Sequence, residues 1–260
     1  RTIGDYAFAG CSLDVSDENM PEYYSISILL SEGLESVGDY AFSRMYGLTY
    51  LNLPQSLTTL GKGTFAGDNR LLSMRIPAKV TVIPDCLFES CFELQQVSLP
   101  EGLQEIGAYA FYGPMKLKTV YLPEGLKSIG NYAFACFRQL SPWSEETGLL
   151  CMAIPDSVEY IGASAFARNS NLTGVKLPEN PAGTVMGERT FEGCSSMKRV
   201  HIPGSIQQIP SYAFSGTKWI TMGEGVTEIG DNAFRGLLDL ESLTLPESLK
   251  TIGACAFAEM

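Results

Sequence analysis

A phenylalanine, usually preceded by alanine, returns along this chain at Phe8, Phe42, Phe65, Phe88, Phe111, Phe134, Phe166, Phe191, Phe214, Phe234 and Phe257. Six of the ten intervals are 23 residues, and the others, of 20, 25, 32 and 34, are that period with local insertions or a deletion. Self-similarity at such a period marks a stack of small units, and no other feature of the chain constrains its fold so tightly. Five residues before each phenylalanine stands an aliphatic residue (Met186 in one unit) followed by Gly or Pro. These pairs run from Ile3-Gly4 to Ile252-Gly253, with proline at Pro84 and Pro210. Upstream again lies an apolar-x-x-apolar-x-apolar-Pro stretch, as in Leu94 to Pro100 and Leu117 to Pro123.

Each segment of the unit has a physical reading. The closing apolar-x-apolar alternates with period two, as a half-buried strand does, and proline ends it where no further N–H is needed. An apolar pair at i, i+3, such as Leu126 and Ile129, forms the opposite wall. A Gly-x-x-Ala-Phe segment then returns the chain, read here as one short helical or 3₁₀ turn. Because Pro84 and Pro210 replace the glycine, that position cannot require a left-handed backbone. It requires a tight bend without room for a branched side chain. The alanine before each phenylalanine is a small residue where neighbouring coils meet.

One unit cannot bury its apolar residues alone, whereas stacked neighbours can. With strands roughly 4.8 Å apart, eleven coils give a body about 50 Å long with the phenylalanines as an internal ladder. The fold class expected is therefore a β-rich α/β solenoid of eleven units with a parallel strand ladder on one face. It spans residues 1–260 as one array, with insertions near 11–23 and 139–148. Because Arg1 opens in mid-repeat and Met260 closely follows a repeat phenylalanine, a fragment of a longer array is expected.

The unit at Leu122 to Phe134 reads Leu-Pro-Glu-Gly-Leu-Lys-Ser-Ile-Gly-Asn-Tyr-Ala-Phe. It closely resembles the BspA-like leucine-rich repeat of the bacterial surface antigen class, and the resemblance covers essentially the whole chain. Met222-Gly223, in place of an aliphatic-Pro pair, departs from it in one coil. The resemblance implies a right-handed, gently curved leucine-rich-repeat solenoid, located at the cell surface or secreted, that acts in adhesion to host proteins or other cells. It also implies buried cysteine at Cys11, Cys91 and Cys194, each three residues after a repeat phenylalanine.

Little in the sequence points to catalysis. The single histidine, His201, lies between the core positions Val200 and Ile202 and so points outward. No Cys-x-x-Cys, His-Glu-x-x-His or Gly-x-Ser-x-Gly occurs. Gly61-Lys62-Gly63-Thr64 matches only the end of a phosphate loop and falls in repeat register. The acidic residues Asp14, Asp17, Glu18 and Glu22 of the first insertion lack the frame of a calcium loop. Cys86, Cys136, Cys151 and Cys255 read as small apolar residues. A non-enzymatic protein without metal or cofactor is expected.

A net charge of −11 disfavours nucleic acid as a partner, and no apolar run is long enough to cross a bilayer. Solenoids bind along their extended strand surface. Alternation places two residues per strand outward, in columns running from Ser27 to Ser242 and from Leu29 to Thr244. None of these twenty positions is Asp or Glu, although the chain has 29 acids. Tyr50, Arg75 and Tyr121 lie on these columns, and Lys176, Arg199, His201 and Trp219 form the centre of a candidate strip for a protein or glycan ligand, since aromatic and Arg residues are enriched at binding hot spots. Trp143, in the second insertion, is read as covering that loop's own apolar side, with contact to a partner as the alternative. The alternative role is a structural spacer or stalk in a larger surface protein.

Overall fold

The computed structural model describes residues 1–11, 25–136 and 148–260. Both insertions, with their acidic cluster and Trp143, lie outside the described residues. The chain winds as a parallel β-solenoid. Each coil contributes a front strand of three to five residues, such as Gln96–Ser98 or Arg199–Ile202, and a two-residue back strand, such as Glu105–Ile106. Every pairing joins a coil to its neighbour in parallel, for example Ser73↔Gln96 and Arg75↔Ser98 on the front, or Ser128↔Glu105 on the back. Among the described residues nine coils carry both strands, against the eleven units expected. The coil of Ser128–Ile129 lacks a front strand; there Lys118 to Tyr121 pass the front without ladder pairing, although Lys118 accepts from Leu150 N at 2.9 Å.

The core is the predicted ladder. Successive phenylalanine rings from Phe8 to Phe257 stack with centroids 5.0–5.9 Å apart and planes within 25°. The aliphatic columns of the two strands flank it, and one buried apolar cluster extends from Val37 to Ala256. The position before the phenylalanine is buried in every coil but the first, where Ala7 is exposed, and it admits Leu87, Thr64 and Thr190 as well as the expected small alanine, so burial matters there more than small size.

The expected helical turn is absent: no described residue is helical, and the α/β label gives way to an all-β one. Two residues before every phenylalanine the backbone is left-handed, as at Tyr40 (φ 53°), Tyr109 (φ 58°) and Arg189 (φ 58°). A second left-handed residue follows most of the phenylalanines by two positions, as at Arg44 (φ 57°). These reversals aim alternate N–H groups along the solenoid instead of back along the chain. Tyr40, Phe42 and Arg44 thus donate to the carbonyls of Lys62, Thr64 and Ala66 in the next coil, at 2.8–2.9 Å. A left-handed non-glycine residue costs roughly 1–2 kcal/mol; the bonds to the next coil offset it.

The conserved-spacing glycine behaves as its two proline substitutes suggest. Gly61 lacks a positive φ, and a Cβ there would lie 2.3 Å from the Gly38 carbonyl carbon and 2.4 Å from Asp39 N. Consecutive coils touch backbone to backbone at this point. The following residue ties them further: Asp39 Oδ1 accepts from Lys62 N at 2.7 Å, and Asp85 Oδ1 from Ala108 N at 2.7 Å.

One coil places a polar side chain in the apolar ladder. In Thr217-x-x-Ile220-x-Met222, Thr217 takes the place that Leu94 holds in Leu94-x-x-Val97-x-Leu99. Its side chain is buried, and its hydroxyl has no hydrogen-bond partner. Removing an unpaired buried hydroxyl while keeping the shape recovers its desolvation cost. Thr217→Val is therefore expected to raise stability by about 1 kcal/mol, read as a higher urea midpoint; a lower midpoint would mean that the hydroxyl is bonded in solution.

Candidate functional site

Alternation along the front strands determines what this face offers. Gln96 and Ser98 are exposed on either side of buried Val97, and Arg199 and His201 on either side of buried Val200. The predicted outward columns are thus outward; among them only Asn52, Gly174 and Trp219 are half-buried, and none is buried. Strand register sets Arg199 opposite Trp219, and His201 opposite Thr221.

The arginine and tryptophan form one unit. The Arg199 guanidinium lies over the Trp219 ring, 4.6 Å from its centroid, where the negative π face attracts the cation. Beyond Trp219 the same column continues with Ser242, a residue too short to cover the ring's other side. His201 Nδ1 is 2.9 Å from Thr221 Oγ1, with no nucleophile-and-base arrangement assembled around it among the described residues. Lys176 is less available than its position suggests, because its Nζ pairs with Asp156 Oδ1 at 3.1 Å. The Asp156 carboxyl is held below the usual carboxylate range by the Glu179 N–H and by this lysine.

Tyr50, Arg75 and Tyr121 belong to the same face but not to this cluster. Tyr121 is 88% exposed and walls a shallow groove of about 580 Å³ with Gln96, Ser98 and Thr119. Arg75 has no ion-pair partner among the described residues.

A further outward column, one residue before the first, was not used in the sequence prediction. It holds Lys118, Lys198 and Lys218 and a single acid, Glu241, and none of its residues is buried. Lys198 and Lys218 therefore adjoin Arg199 and Trp219 along their own strands. The signal was present in the repeat register. It was missed because strict alternation assigns no side chain outward just after a core residue, whereas here the chain is still entering the strand from a turn.

The turn side carries a second regular column three residues after each phenylalanine. Cys91 Sγ donates to Phe65 O at 3.1 Å, and Cys194 Sγ to Phe166 O at 3.3 Å. Asn169 at the same position donates to Phe134 O and Phe166 O, both at 2.8 Å, and accepts from Leu149 N at 2.9 Å. Cys91 and Cys194 are buried, with thiol pKa values pushed up by desolvation, whereas Cys11 is exposed and departs from the expected pattern. The remaining cysteines only partly behave as small core residues. Cys136 is buried, Cys86 is half-buried with burial pushing its thiol up to about 11, and Cys151 and Cys255 are exposed. Thr64, in the segment resembling a phosphate loop, is buried and donates to Gly61 O at 2.7 Å, so its hydroxyl serves the turn.

A parallel β-solenoid with alternating outward columns is a repeat scaffold whose extended face is its means of contact. The chain belongs to the BspA type leucine rich repeat region family, whose model matches residues 1–141 and 145–260. A solved leucine-rich repeat protein from Bacteroides ovatus is 26% identical. The likeness covers 100% of this chain and 68% of that one, with a TM-score of 0.77. The pneumococcal vaccine antigen PcpA shares the fold at 17% identity and a TM-score of 0.55, over 97% of this chain and 63% of that one. No sequence among the curated proteins matches the chain. No helix among the described residues is long and apolar enough to cross a membrane.

Proposed function

We propose that this solenoid is a non-enzymatic binding protein, displayed at the cell surface or secreted, that adheres to a host or partner molecule through its front strand face. The carrying observation is the Arg199–Trp219 pair, near one end of the two strand columns that hold no acid. Aromatic and Arg side chains contribute disproportionately to binding energy, and here Arg199 is exposed and Trp219 half-buried on the outer side of the strands. Family membership and the fold shared with a pneumococcal vaccine antigen support the same role. On this view residues 1–260 form one solenoid with its two insertions, with Lys176, Arg199, His201 and Trp219 at the centre of the contact and Tyr50, Arg75 and Tyr121 at its periphery. The ligand is a protein or glycan outside the cell.

The test is attachment of the fluorescently labelled chain to cultured epithelial cells. The double variant Arg199→Ala, Trp219→Ala is expected to lower attachment at least tenfold. Glu105→Gln with Glu228→Gln, exposed on the back strands, is expected to leave it unchanged. Equal attachment by the front-face variant and the unaltered chain, or no attachment by either, would overturn the proposal; equal attachment would favour a stalk.

A further inference from the structure

The front face is charged against the rest of the molecule. Its three outward columns hold six of the chain's 18 basic residues (Arg75, Lys118, Lys176, Lys198, Lys218 and Arg199) but one of its 29 acids, Glu241. That is a net +5 on this face against −16 for the remaining residues, within a chain of −11. Strand propensity favours Thr, Tyr and Trp on such a face, but it does not favour lysine, so propensity leaves the segregation unexplained. Four of the six cations, Lys176, Lys198, Arg199 and Lys218, lie on or immediately before three consecutive front strands around Trp219. Lys176 and Lys218 have acidic partners at 3.1–3.6 Å. Lys198 and Arg199 are exposed and have no ion-pair partner among the described residues.

We infer that this strip binds an anionic polysaccharide, a chain of sugar rings bearing sulfate or carboxylate groups. The inference rests on the front-face function proposed above and specifies its ligand. A cationic strip on an acidic molecule selects an anion and steers it to this one face. Three features favour sugar over an acidic peptide. The strand of Trp219 itself, Trp219–Met222, is paired on both edges, with Arg199–Ile202 and with Ser242–Thr244, so a peptide cannot add as another strand beside the ring. The apolar side chains Val200, Ile202, Ile220 and Met222 of the Arg199 and Trp219 strands are buried in the core and so are not offered to a peptide as apolar contacts. Trp219 turns one ring face towards short Ser242, among the hydroxyls of Thr221 and Thr244. A pyranose stacks its C–H face on such a ring while its hydroxyls and acid groups reach the surrounding donors. Arg199, fixed over the other ring face, holds its remaining N–H donors ready for sulfate or carboxylate.

The experiment is titration of the purified 260-residue chain with three probes: heparin, hyaluronan and polyglutamate matched in charge. Heparin or hyaluronan is expected to bind, more weakly as salt rises. Lys198→Ala with Arg199→Ala should lower that affinity at least tenfold, and Trp219→Ala at least fivefold. Polyglutamate should bind more weakly and show no dependence on Trp219. Heparin binding alone assigns sulfate, and binding of both sugars assigns carboxylate as sufficient. Three results would overturn the inference: neither sugar binds, the Lys198/Arg199 variant binds as well as the unaltered chain, or polyglutamate binds as well as the sugars. Loss of cell attachment in the Arg199/Trp219 variant, with no sugar binding, would sink this inference and leave the front-face function standing. Undiminished attachment would sink that function itself.

Discussion

Phe111→Ala is expected to destabilise the protein by about 3–5 kcal/mol, the usual cost of emptying a buried aromatic site. The ring is 2% exposed and lies between Phe88 and Phe134, with centroids 5.4 and 5.0 Å away. The cost belongs at the upper end of what burial alone would give, because the site cannot collapse. Phe88 N bonds Ala110 O at 2.8 Å and Phe111 N bonds Ala133 O at 2.7 Å, which fixes the coil spacing whatever the side chain. The two neighbouring rings would face a void too narrow to close. Phe8, 41% exposed and among the described residues stacked on Phe42 alone, provides the comparison; Phe8→Ala is expected to cost about 1–2 kcal/mol on the area scale. Urea unfolding followed by far-ultraviolet circular dichroism separates the two. Equal costs would mean that stability resides in the strand ladders and that the ring stack is incidental.

The ring stack was legible because it depends on one large side chain at a fixed interval, and spacing survives insertions. The outward columns were legible for the same reason, since a strand's period of two is a property of the backbone. The turn was not. A left-handed backbone is normally signalled by Gly or Asn, yet of the eleven positions before the phenylalanines only Gly63 and Asn232 are of those types. Tyr6, Tyr40, Tyr109 and Tyr132 adopt it because bonds to the next coil compensate, aided by contacts between neighbouring rings, and Tyr212 adopts it beneath an arginine. Tyr6 stacks on Tyr40, Tyr109 on Tyr132, and Arg189 lies over Tyr212. Local propensity was overridden by contacts between residues some twenty positions apart, which no local window contains.

The candidate site divides in the same way. Arg199 and Trp219 were brought together by repeat register alone, since twenty residues of sequence become one strand spacing. The pairing of Lys176 with Asp156 depends on where a loop carboxylate lands after the strand, and spacing carries no information about that. The basic surplus of the face needed the third column, which becomes countable only when the entry to each strand is seen to be exposed.

Asp68→Asn is expected to stabilise the protein by about 2–3 kcal/mol at pH 8, and hardly at all at pH 4, on the scale of one buried group's desolvation. Asp68 occupies the column of Cys91, Asn169 and Cys194, where each side chain donates to a phenylalanine carbonyl of the preceding coil. A carboxylate cannot donate. Asp68 is fully buried; its Oδ1 accepts from Met45 N at 2.8 Å, while Oδ2 has no partner. Burial accordingly raises its pKa to about 9, against the lowering pull of the Met45 N–H. The folded chain holds the proton at pH 7, and by repeat register the acceptor equivalent to the Phe134 carbonyl bonded by Asn169 is the Phe42 carbonyl. The unfolded chain releases the proton near the ordinary aspartate value. Stability from this group is therefore complete below about pH 4, declines as pH rises, and is lost above about pH 9. Asparagine supplies the donor at every pH, so the variant's advantage should grow steadily across that interval. Thermal melts of both proteins at pH 4.5, 6, 7 and 8 measure it, with an expected gain of roughly 5–10 °C at pH 8. A difference independent of pH, or a variant less stable than the unaltered chain at pH 8, would show that Asp68 is ionised in the folded protein and that the carbonyl-capping column is broken at this coil.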